Sequence, residues 1–157
     1  NFKWLLCGPD SNEMKLFERM TNIKYKDVNI VPLGSCVAEV VKERMLESVL
    51  YIHPSYIDNS PNAVCEAQYL GLPIIATNVG GTSSLFSSDY PSEMLVSPND
   101  PYYLASKIKL ALNNESLLRR MSESNYKIAK ERHSDESIYK SLVDAYKHVI
   151  EDSFTEK

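Results

Sequence analysis

Short apolar runs recur along this chain, and the first four end at glycine, proline or a polar turn. Residues 2–7 run into Gly8-Pro9, residues 28–33 into Gly34, residues 49–53 into Pro54, and residues 73–77 into Asn78-Val79-Gly80-Gly81. A fifth run covers residues 94–96. Runs this short, bounded by turn residues, read as buried strands. The segments between them have helical spacing. Residues 10–22 open with Asp10 and Glu13 at the separation of a capping box. Residues 37–46 place Val37, Val40, Val41 and Met45 on one face. A third helix is expected to start near Ser60-Pro61, because proline lacks an N–H that the first helical position leaves unpaired anyway. Gly71 is its natural stop. A short helical turn is expected near residues 83–86. Residues 101–154 read as two or three helices, broken at Asn113-Asn114 and near His133-Ser134-Asp135.

Strands alternating with helices imply βαβ units: an α/β, Rossmann-like fold with a parallel sheet and helices on both faces. No repeat, linker or second domain is visible, so residues 1–157 read as a single domain. In such sheets, ligands bind beyond the carboxyl ends of the strands. The informative loops are therefore those at Gly8, at Gly34, at residues 55–62 and at residues 77–81. Composition narrows the partners. The 17 basic and 21 acidic residues leave a net charge of -4, which offers no surplus to neutralise a nucleic-acid backbone. Cys7, Cys36 and Cys65 are odd in number and form no C-x-x-C pair, which argues against a disulfide framework or a zinc site and for a reducing compartment. No apolar run approaches the ~20 residues of a membrane span. Starting at Asn1 rather than Met, the chain reads as cut from something longer.

The densest chemistry lies between His53 and Gly81. A strand feeds a loop carrying Asp58, and that loop enters a helix through Ser60, Pro61, Asn62 and Ala63. Free N–H groups and the positive end of a helix dipole favour a phosphate. Asn62, Ala63 and Val64 are the expected donors, since Pro61 has none. Glu66 follows about six residues in, or ~9 Å along the axis, and helical side chains lean back toward the N-terminus. Its carboxylate suits a vicinal diol such as a ribose. Asp58 would flank the same anion on the other side. The order diol, phosphates, polyol describes a nucleotide sugar. Each element also has a plain structural reading: Glu66 as a solvated surface acid, residues 58–61 as a turn and cap, Gly80-Gly81 as a turn, and His53 as a structural histidine.

Asp58 and Glu66 flank seven residues and are followed by Ala67, Gly71-Leu72-Pro73, Ile74-Ile75-Ala76-Thr77 and Gly80-Gly81. This ordered set resembles the donor-binding signature of retaining GT-B glycosyltransferases, the glycosyl transferase group 1 family. The likeness extends over about residues 2 to 150. It implies one half of a GT-B fold, the C-terminal donor-binding domain, with the acceptor domain and the first part of the donor domain absent. Glu66 matches the second acid, which binds the donor ribose. Asp58 matches the first acid, normally Glu, which faces the transferred sugar and the reacting centre, and is the catalytic candidate. Asn59, Ser60, Asn62 and Ala63 match the loop and helix start that hold phosphate and sugar hydroxyls. Gly34 and Ser35 match the loop that contacts the base, largely through backbone.

The departures are specific. Asp58 is one methylene shorter than the usual Glu. Residues 59–62 replace the usual glycines with a stiffer sequence. Pro9-Asp10 follows Gly8 where a second glycine is usual, Ser83-Ser84 stands near the usual acid after the double glycine, and Glu93 stands where Gly is common. The family's Arg and Lys that neutralise the diphosphate would lie upstream of residue 1.

The resemblance implies transfer from a nucleotide-diphosphate sugar with retention. No acidic cluster has metal-ligand spacing and the helix dipole offers a metal-free alternative, so no metal and no cofactor are expected. The acceptor, a glycan or lipid-linked sugar, would be met through the missing N-terminal domain. A cytoplasmic location is implied, with the inner-membrane periphery open for the full-length protein. Two other classes stay open: a sugar-nucleotide epimerase-like relative, and a degenerate, non-catalytic nucleotide-binding module. A glycosidase acid pair is disfavoured, because a phosphate-ready helix between the acids has no role in hydrolysis. A dinucleotide-binding domain is disfavoured because no G-x-G-x-x-G follows a strand.

Overall fold

The computed structural model describes residues 2–155. In chain order the elements are β1 (Trp4–Cys7), α1 (Glu13–Thr21), β2 (Ile30–Gly34), α2 (Ala38–Leu46), β3 (Tyr51–His53), α3 (Asn62–Tyr69), β4 (Ile74–Thr77), β5 (Leu95–Val96), α4 (Pro101–Leu112), α5 (Glu115–His133) and α6 (Asp135–Thr155). Single 3₁₀ turns occupy Tyr25–Val28, Thr82–Leu85 and Ser92–Met94. The sequence reads as one parallel sheet, but the hydrogen-bonded ladder comes in two parts, β1-β2 and β3-β4-β5. The chain correspondingly divides into two compact units at Ser48/Val49. Strand β3 has only three residues, and they pair with β4.

In the first unit, β1 and β2 run parallel, from Trp4 opposite Ile30 to Cys7 opposite Gly34. The register slips between Leu6 and Cys7, where Leu6 faces Pro32. Proline has no N–H for the ladder, and an extra residue, Leu33, is accommodated there as a bulge. Helix α1 is entered through the expected reciprocal pair. The Glu13 N–H donates to Asp10 Oδ1 at 2.9 Å, and the Asp10 N–H donates to Glu13 Oε2 at 2.8 Å. The Asn12 N–H also donates to Asp10 Oδ1, at 2.7 Å. These N–H groups hold the Asp10 carboxyl below the usual carboxylate range.

In the second unit, β3, β4 and β5 are all parallel, with β4 in the centre. Every residue of β4 is buried, as expected of a strand covered on both faces. Helix α3 packs on α5. It buries Val64, Ala67 and Gln68, a spacing that defines one helical face. Helix α5 buries Leu117, Met121, Ser124, Asn125 and Ala129, again one stripe. Gly71 ends the α3 segment at φ +73°, a left-handed conformation that glycine adopts without penalty. The breaks after α4 and α5 fall at Asn113-Asn114 and Ser134, as the sequence implies. Parallel strands alternating with helices make this a Rossmann-like α/β fold.

Candidate functional site

Parallel strands place all their carboxyl ends on one edge. In the second unit this edge carries the segment after His53 and the turn after Thr77. Three sets of contacts fix it. The Thr77 hydroxyl, buried at the end of β4, donates to the carbonyls of His53 at 3.2 Å and Ser55 at 2.5 Å. The Ser55 hydroxyl donates to the Ile57 carbonyl at 3.0 Å. Gly80 and Gly81 then back directly onto the loop: a Cβ on Gly80 would overlap the Asp58 carbonyl oxygen, and one on Gly81 the Asn59 carbonyl oxygen. The double glycine is thus a close approach of two backbones, not only a turn.

The two acids sit differently. Asp58 is half-buried, and both its oxygens are engaged. Oδ1 accepts the Ser60 N–H at 3.2 Å, and Oδ2 lies 3.1 Å from His53 Nε2. Glu66 is exposed on α3, and its carboxylate has no hydrogen-bond or ion-pair partner among the described residues. Between them, Asn59, Ser60 and Asn62 are exposed, and Ala63 is partly covered. Pro61 lies just outside the helix in an extended conformation rather than at its first position. Its carbonyl accepts the N–H groups of Val64 at 3.0 Å and Cys65 at 3.3 Å. Val64 is therefore committed, contrary to the sequence expectation, and Asn62 and Ala63 remain as the open donors of that turn. The helix start thus offers two N–H groups and its dipole, with an open carboxylate one turn further on.

Gly34 and Ser35 belong to the first unit. Gly34 stands at φ +69°. Its N–H donates to the Pro9 carbonyl at 3.0 Å, and its carbonyl accepts the Gly8 N–H at 2.8 Å. The Gly34 backbone is therefore spent on the Gly8-Pro9 turn. Ser35 is exposed beside it. Cys36 directs its thiol back to the Gly34 carbonyl at 3.4 Å. Burial, and after it the neighbouring Cys36, pushes the Cys7 thiol up.

From the sequence, His53 reads more readily as a structural histidine than as a base. Its signal was available: a histidine ending a strand, five residues before a shortened acid. The tie from Thr77 to the 53–55 backbone has no signature in one sequence.

The class defined by this geometry is a Rossmann-like α/β protein with parallel strands that end in loops on one edge of each ladder. Residues 1–128 match the family model of the glycosyl transferases group 1, and the chain belongs to that family. It is 27% identical over 132 residues to the uncharacterized glycosyltransferase MJ1178 of Methanocaldococcus jannaschii, covering 83% of this chain and 36% of the relative. It superposes on sucrose-phosphate synthase from Thermosynechococcus elongatus with a TM-score of 0.76 at 20% identity, covering 94% of this chain and 38% of that one. Against Anabaena HepE in complex with UDP-glucose the TM-score is also 0.76, at 17% identity, with 93% and 41% covered. At these identities the two structures show the shared fold. The chain spans 17% to 36% of the length of the curated relatives it matches.

Proposed function

We propose that this chain is the donor-binding part of a retaining glycosyltransferase that takes a hexose-type sugar from a nucleotide diphosphate. One observation carries the reading: an exposed, unpartnered Glu66 and a fixed Asp58 stand on either side of a helix start whose Asn62 and Ala63 N–H groups are open. Glu66 accepts the ribose hydroxyls, the helix start takes phosphate, and Asp58 faces the sugar. HepE, which shares the fold, has been seen with UDP-glucose, so a uridine nucleotide sugar is the first donor to try.

Departure of the diphosphate concentrates negative charge on the leaving group, and stabilising that charge is the main electrostatic task. The helix start contributes fixed partial positive charge without a metal ion, so the proposal includes metal-independent transfer. The acceptor, a glycan or lipid-linked sugar, is bound by the remainder of a longer protein. A cytoplasmic location belongs to the same reading, since Cys7, Cys36 and Cys65 are all free thiols. No described helix is long and apolar enough to cross a membrane.

The test is a ligand-observed NMR titration of UDP and UDP-glucose, with Glu66→Ala as control. Saturable binding that Glu66→Ala weakens supports the reading. Absence of binding at millimolar ligand refutes it, and equal binding by Glu66→Ala removes the ribose assignment.

A further inference from the structure

We propose that His53 is the positioning residue for Asp58: its Nε2–H holds the carboxylate in the orientation that meets the donor sugar. This rests on the donor-site reading above and adds to it a residue which that reading does not use.

His53 is the last residue of β3, so its backbone is set by the ladder to β4, opposite Ala76. Its carbonyl is held by the Thr77 hydroxyl at 3.2 Å. Its ring lies near-parallel to that of Tyr51, with centroids 6.4 Å apart and planes 24° apart. Tyr51 is two residues back and hence on the same face of the strand. From this fixed ring, Nε2 lies 3.1 Å from Asp58 Oδ2, with side chains only 16% and 26% exposed. The other oxygen, Oδ1, takes the Ser60 N–H at 3.2 Å. One donor on each oxygen fixes the plane of the carboxylate.

The chemistry follows from counting. An ionised carboxylate has about four acceptor positions. His53 and Ser60 use one on each oxygen, and the remaining positions stay open to sugar hydroxyls. A short Asp, backed by Gly80 and Gly81, cannot reach far, so its direction matters more than it would for a longer Glu. Without His53 the carboxylate keeps only the Ser60 bond and can turn about its side-chain torsions. A hydrogen bond to a charged group in a half-buried setting is among the stronger kinds.

The experiment compares UDP with UDP-glucose on the wild-type protein, His53→Leu and His53→Gln. Affinity for UDP reports the helix start and Glu66; the gain of UDP-glucose over UDP reports Asp58. The expected result is unchanged UDP affinity throughout. The gain falls about tenfold in His53→Leu, the loss of one charge-assisted hydrogen bond. It is retained in His53→Gln, whose side-chain amide keeps a donor. A purely structural role would move both ligands together. His53→Leu with the wild-type gain and intact UDP binding overturns the proposal and leaves the donor-site reading standing. Failure of the wild type to bind either ligand overturns both. Should His53→Leu not fold, the nitrogen-15 spectrum of the wild-type ring decides. A protonated Nε2 whose resonance moves in Asp58→Asn supports the pair, and an unprotonated Nε2 overturns it.

Discussion

Gly80 lies so close to Asp58 that a side-chain carbon on it would overlap the Asp58 carbonyl oxygen, and Gly80 also adopts φ +49°. Two separate penalties therefore fall on Gly80→Ala: a left-handed backbone without glycine, and displacement of the loop that carries the acid. The expected cost is about 1–3 kcal/mol of stability, read from urea unfolding. Amide shifts of Asn59 and Ser60 should move in the folded variant, because the loop must give way. Unchanged shifts there would show that the two backbones do not meet as described.

The glycines show how much of this was legible. Five glycines in the chain drew attention to the strand-end loops and to the end of α3, and those placements hold. The Asp10–Glu13 pair was legible because a capping box is local chemistry. What one sequence cannot reveal is contact between distant segments. The approach of Gly80 to Asp58 and the tie from Thr77 to the 53–55 backbone arise only once β3 and β4 lie side by side. The division of the ladder escaped for a related reason: periodicity identifies strands but not which edges pair. The sequence offers Val64 as a third donor, but the Pro61 carbonyl, just outside the helix, accepts its N–H.

Glu66 offers a clean separation of binding from folding. It is exposed, and its carboxylate makes no hydrogen bond or ion pair among the described residues. Removing such a side chain should change stability by no more than about 0.5 kcal/mol. If it accepts two ribose hydroxyls, Glu66→Ala should weaken UDP binding by about tenfold or more. Thermal unfolding with and without UDP measures both. A lowered melting point in the absence of ligand would mean that Glu66 has a structural task instead.

Tyr90 sets an alkaline limit. Its ring is buried, its hydroxyl donates to the Ile74 carbonyl, and the Ile74 N–H donates back to it at 3.2 Å. Burial pushes the phenol well above the ordinary tyrosine range. The folded state therefore keeps its proton at pH values where the unfolded chain, with a pKa of about 10, has released it. The stabilisation is complete below about pH 10 and is lost as pH rises above it. Tyr90→Phe should flatten this part of the stability–pH curve. It should also cost about 1–3 kcal/mol at neutral pH, because both polar groups of Ile74 lose their partner. Urea titrations at neutral and alkaline pH distinguish the two effects.

The buried amides on α3 and α5 supply the last prediction. Asn125 Nδ2 donates to the Leu72 carbonyl at 2.7 Å, and Gln68 Nε2 donates to Asn125 Oδ1 at 3.4 Å and to the Leu85 carbonyl at 3.0 Å. Both side chains are almost wholly buried, so each depends on the other for its inventory of partners. This network ties the helix bearing Glu66 to α5, to the turn at Gly71-Leu72 and to the segment after the double glycine. Asn125→Ala strands the Leu72 carbonyl and one partner of Gln68, at an expected cost of about 2–4 kcal/mol. Gln68→Ala should cost a similar amount. Because the two share a bond, the double variant should lose about 0.5–1.5 kcal/mol less than the sum of the singles. Strict additivity in a double-mutant cycle would show that the two amides are satisfied independently of one another.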